Sequence, residues 1–116
     1  MDPSNDREVD PVRRRPRWGT ARVAGDSMRP TLHPGDLLLI RYGVEPRVGR
    51  CAIVRLPGRG LAVKRVTGRE AGGWWVERDN PAAGVDSWLV GAIPAADVVA
   101  VVVRRLWPPR RPVFRR

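Results

Sequence analysis

The chain has 116 residues, with 22 basic against 12 acidic side chains and a net charge of +10, which bounds it to one small domain with tails. One cysteine excludes an internal disulfide and, with one histidine, leaves no basis for a metal site. No run approaches the roughly 20 apolar residues a membrane helix needs, and an acidic, polar start is no signal peptide, so no membrane anchor is expected and the default location is cytoplasmic.

In chain order, residues 1–17 are first acidic and then arginine- and proline-rich, and read as an N-terminal arm. Apolar, β-branched runs then alternate with glycine and proline punctuation. They predict strands near 20–24, 36–42, 50–56, 61–67, 73–77 and 98–106, with a hairpin loop at Pro57–Gly60. No 3.6-residue periodicity persists for three turns, so little helix is expected. The predicted fold is mainly β: a compact, partly open β-barrel or folded sheet over residues 18–107, with an irregular excursion over 78–97. Residues 108–116 form a basic tail. Neither zinc-finger spacing nor a helix-turn-helix pair appears, so no sequence-specific nucleic-acid binding is expected.

Of the 22 basic residues, 21 are arginine and one is lysine, Lys64. Arginine cannot lose its proton near neutral pH, whereas a lysine can when its surroundings lower its pKa. Strand alternation places Ala62, Lys64 and Val66 on one face. If that face is inward, desolvation lowers the Lys64 pKa; if it is outward, Lys64 is an ordinary surface amine. His33 lies in a Leu-His-Pro-Gly-Asp turn and is expected to face solvent, and Cys51 falls in an apolar strand and is expected in the core. Paired Trp74 and Trp75 put one ring inward and one outward.

Three segments carry potential chemistry. They are Gly25-Asp26-Ser27-Met28-Arg29-Pro30-Thr31-Leu32 followed by Gly35-Asp36; Lys64-Arg65; and Asp79-Asn80 followed by Asp86-Ser87 and Gly91-Ala92-Ile93-Pro94. Their order and spacing resemble the serine–lysine peptidases of the signal peptidase and LexA-type repressor group, over about residues 23–103.

That resemblance implies Ser27 as nucleophile, Lys64 as general base and the Ser27 backbone N–H as oxyanion donor, with no cofactor. It assigns supporting places to Gly25, Met28, Pro30, Arg65, Asp79, Asn80, Asp86 and Ser87, and implies an ion pair between Arg65 and Asp86. Two departures stand out. Arg78 replaces a family glycine, and Gly84 stands where many bacterial members carry a lysine-orienting serine, a hydroxyl that is then either missing or supplied elsewhere, with Ser87 as the candidate. Within the group the chain resembles the nickel-type superoxide dismutase maturation proteases, in size and in Gly72-Gly73-Trp74-Trp75-Val76 leading to Asp79-Asn80. The implied partner is a precursor protein, the nickel superoxide dismutase proenzyme being the candidate, trimmed after small residues. The alternatives are signal-peptidase-like processing of another precursor, and a basic, non-enzymatic binding module with a vestigial dyad.

Overall fold

The computed structural model describes residues 17–109. The N-terminal arm up to residue 16 and the tail from residue 110 lie outside the described residues. Seven strands form one antiparallel sheet: β1 (Arg17–Arg22), β2 (Leu37–Tyr42), β3 (Cys51–Leu56), β4 (Gly60–Glu70), β5 (Gly73–Glu77), β6 (Ile93–Pro94) and β7 (Val98–Trp107). Their order across the sheet is β1-β2-β7-β3-β4-β5-β6, so β1 and β6 are edges and the sheet does not close. The mainly β, partly open architecture expected from the glycine- and proline-cut pattern is therefore what forms. Among the described residues, helix is limited to α1 (Ser87–Val90) and one 3-10 turn, Ala95–Asp97, both inside the long excursion. A one-turn helix is too short to leave a periodicity in the sequence.

β1 starts at Arg17 and ends at Arg22, earlier at both ends than its apolar content suggests. Its pairing to β2 overrides its weak pattern, since Arg17 faces Tyr42 and Arg22 faces Leu37 in register. β4 extends to Glu70 because β5 folds back on it, Arg65 opposite Glu77 and Glu70 opposite Gly73.

β3 divides the interior by its alternation. Ile53 joins Val23, Met28, Leu32, Leu38, Ile40 and Ala100 in one apolar cluster. Ala52, Val54 and Leu56 join Val66, Trp74, Val76 and Ile93 in the other. A strand with both faces buried lets the sheet wrap around two cores; Met28 and Leu32 of the serine segment belong to the first, and Val66, two residues after Lys64, to the second.

Candidate active site

The segment between β1 and β2 is a closed loop. The Val23 N–H donates to the Asp36 carbonyl at 2.8 Å and the Gly35 N–H donates back to Val23 at 2.8 Å. Gly25 takes φ +78°, a left-handed conformation that glycine adopts without a Cβ penalty. Ser27 then opens a turn in which the Leu32 N–H reaches the Met28 carbonyl at 2.8 Å. Met28, 1 % exposed, and Leu32 plunge into the first core and fix the turn that carries Ser27. Pro30 is exposed on the turn, and its carbonyl accepts from His33 Nε2 at 3.1 Å. His33 is half-buried rather than solvent-facing, since its N–H also donates to Asp36 Oδ2. Cys51 is half-buried rather than a full core residue, and burial pushes its thiol pKa up.

Lys64 lies on the inward face of β4, opposite Ala52 and between Ala62 and Val66. It is 2 % exposed. Its Nζ donates to Ser27 Oγ at 2.9 Å, and among the described residues it makes no ion pair. Burial pushes its pKa below the ordinary lysine value; the Asp86 charge opposes that shift and the Arg78 charge adds to it. The Ser27 N–H has no internal acceptor among the described residues.

The excursion after β5 is anchored at both ends. Near its start, Arg65 grips Asp79 with two bonds, 2.8 Å from Nε and 2.7 Å from Nη2, and its Nη1 reaches the Gly49 carbonyl. Thr31 Oγ1 donates to the same carboxylate at 2.6 Å, which ties the serine loop to the excursion. The arginine, and secondarily Thr31, holds the Asp79 pKa below the usual carboxylate value. Asn80 completes the tie: its N–H donates to the Ser27 carbonyl at 2.8 Å and its Nδ2 to the Asp26 carbonyl at 3.0 Å.

The expected Arg65–Asp86 pair does not form. Asp86 instead caps α1 by accepting from the Trp88 N–H, and accepts the Arg78 N–H, with Arg78 Nε 3.5 Å away. Asp79 is seven residues nearer to β5, whose register with β4 begins at Arg65 and Glu77, so it reaches Arg65 first. Ser87 does not orient the lysine either; its buried Oγ accepts the Val76 N–H at 2.9 Å and fastens α1 to β5. Trp74 is buried, and Trp75 is half-buried against the exposed Trp88 ring.

The two departures from the motif are linked: Gly84 lies at the pair itself, and Arg78 holds Gly84. A Cβ on Gly84 would fall 2.7 Å from Ser27 Cβ and 3.3 Å from Lys64 Nζ. The Arg78 guanidinium holds the Gly84 carbonyl. The absent serine at position 84 was visible in the sequence; the need for a glycine there was not.

Beside Ser27 runs a cleft of about 210 Å³, lined by Ala21–Ala24 on one side, Leu61–Val63 on the other, and Met28 and Ile53 below. Both walls have free edges. β1 pairs only with β2, and β4 pairs with β5 only from Arg65 onward, which leaves the edge of Leu61–Lys64 open. No group of histidine, cysteine and acidic side chains among the described residues could hold a metal, and no described helix is long and apolar enough to cross a membrane. Residues 6–103 match a family described as Peptidase S24-like, the LexA and signal-peptidase-like serine peptidases. No curated protein matches the chain.

Proposed function

Because the chain belongs to the Peptidase S24-like family, we propose that it is a serine endopeptidase in which Lys64 activates Ser27. The observation that carries this is the 2.9 Å contact between Lys64 Nζ and Ser27 Oγ, made by a buried amine with no carboxylate partner among the described residues. A serine hydroxyl is a weak nucleophile until a neighbouring base takes its proton, and a lysine serves only when neutral. Burial favours that neutral form.

The substrate enters as an extended strand between the open edges of 22–24 and 61–63, gaining main-chain hydrogen bonds from both. Neutral Lys64 takes the Ser27 proton as Oγ attacks the scissile carbonyl. The Ser27 N–H faces the developing oxyanion. Lys64 then delivers its proton to the leaving amine, and the acyl group remains on Ser27. A water, deprotonated by the now neutral Lys64, attacks the ester, and Lys64 returns the proton to Ser27 Oγ as the acid product leaves.

The cleft is small and, apart from Arg22 and Ser27, walled by alanine, valine, leucine, isoleucine and methionine, which fits small apolar residues before the cut. The finer assignment is removal of a short N-terminal propeptide, with the nickel superoxide dismutase precursor as candidate substrate. It rests on the resemblance of Gly72–Val76 and Asp79-Asn80 to those maturation proteases. Incubation of that precursor and of Ala-x-Ala-bearing peptides with wild type, Ser27→Ala and Lys64→Arg, read by intact mass, tests both levels. Both folded variants are expected to be inactive. A Ser27→Ala protein that still cleaves at the wild-type rate refutes the nucleophile; cleavage of the peptides but not of the precursor refutes only the substrate.

A further inference from the structure

We propose that Arg78 is a positioning residue for the Ser27–Lys64 pair, its guanidinium joining the Gly84 carbonyl to the Asp86 carboxylate so that the loop closes on the pair and the Asp86 charge is partly offset. This rests on the proposed roles of Ser27 and Lys64 and adds a residue with no counterpart in the motif, where a glycine is usual.

Three observations converge on it. Arg78 Nη1 donates to the Gly84 carbonyl and lies 3.5 Å from that of Ala83, which fixes the far end of the loop. Its Nε lies 3.5 Å from Asp86 Oδ2, and its own N–H donates to the same oxygen. Gly84, held this way, comes so near the pair that a Cβ on it would lie 2.7 Å from Ser27 Cβ and 3.3 Å from Lys64 Nζ. A guanidinium can do both tasks because its donors point in fixed, divergent directions; an ammonium is a point charge and cannot span carbonyl and carboxylate together.

The electrostatic half follows from what surrounds the amine. β3 presents Ala52 to Lys64, and β4 presents Ala62 and Val66 as same-face neighbours. The serine loop presents the neutral Ser27 hydroxyl. The charged groups that act on it are Asp86, 5 % exposed, and Arg78, both from the excursion. A bare Asp86 carboxylate would favour ammonium over amine. Arg78, paired with it, offsets part of that bias.

Arg78→Gln and Arg78→Lys separate the two halves. Acylation by p-nitrophenyl acetate is followed against pH by intact mass, with Ser27→Ala subtracted and melting temperatures measured in parallel. Glutamine removes the charge and the fork, so acylation should fall roughly tenfold and the midpoint of its rise should move to higher pH. Lysine keeps the charge and loses the fork, so the rate should fall comparably while the midpoint stays near wild type. Wild-type rate and profile in both variants, loss of rate with no shift in either, or equal shifts in both would each overturn the proposal. If wild type reacts no faster than Ser27→Ala, the nucleophile assignment fails and this inference falls with it.

Discussion

Replacing Gly84 by alanine tests whether the loop bears directly on the candidate catalytic pair. Two costs can be separated. The first is backbone: Gly84 has φ +79°, where an L side chain costs about 1–2 kcal/mol. The second is contact: the new Cβ would lie 2.7 Å from Ser27 Cβ, so the serine turn or the loop must move by several tenths of an ångström. A displacement of about 1 Å at a reacting group costs on the order of 100-fold in rate, so a loss of about 10- to 100-fold is expected. Gly72→Ala is the control, since Gly72 has φ +78° with nothing within 4 Å of the added carbon. Both variants should melt lower, by about 4–8 °C per kcal/mol for a domain of this size. Only Gly84→Ala should lose acylation of Ser27. Equal rates in the two variants would show that the loop does not press on the pair.

Acylation should rise with pH through a midpoint below 10.5, because the base acts only when neutral and burial lowers its pKa; a rate independent of pH from mildly acid to alkaline buffer, with chemistry limiting, contradicts this. Lys64→Met should abolish activity and raise the melting temperature at neutral pH. The sign follows from the lowered pKa: between the folded value and 10.5 the unfolded chain holds a proton the folded one has lost, so wild-type stability climbs with pH there. The methionine variant should lack that climb, and a variant that melts lower than wild type at pH 7 would refute the burial cost. Asp79→Asn should destabilise by about 1–3 kcal/mol, between the surface and buried limits for ion pairs, the two side chains being 30 % and 17 % exposed. The Asp79 pKa is lowered, so the wild-type advantage should be complete above the unfolded carboxylate value of about 3.9 and vanish as pH falls through the lower folded value; urea midpoints at pH 7 and pH 2 measure it.

What the sequence disclosed was local. The alternation at Ala62, Lys64 and Val66 named the face Lys64 shares, and glycine and proline spacing marked most strands. Depth was not legible: whether that face was core or surface depended on β3 and the serine loop covering it. β1 was misplaced because Arg17, Trp18 and Gly19 carry no strand-like alternation; they are held by pairing with β2. The resemblance pairs Arg65 with Asp86, but Asp79 and Asp86 lie on one excursion and either suits a guanidinium. The choice is made by the β4–β5 register and by Asp86 capping α1, neither of which is a property of the residues alone.

That choice has a chemical consequence. With Asp79 on Arg65 and Asp86 on Arg78, each arginine has a carboxylate of its own, and the single lysine is left with a serine hydroxyl. Had Arg65 taken Asp86, the bidentate Asp79 tie that joins Thr31 to β4 would be gone, and Arg78 would have no carboxylate to neutralise beside the amine. The two arginines should therefore fail differently. Arg65→Ala should loosen the fold, because a partly buried carboxylate is stranded and the serine loop loses its anchor through Thr31. Arg78→Ala should leave that anchor in place, with Asp86 still held by the backbone N–H groups of residue 78 and Trp88, and act chiefly on the chemistry, by freeing Gly84 and exposing Lys64 to the Asp86 charge. Urea midpoints and acylation profiles of the two variants, measured side by side, should separate into a stability defect for Arg65→Ala and a pH-shifted rate defect for Arg78→Ala. Identical behaviour would mean that the excursion acts as one undivided brace.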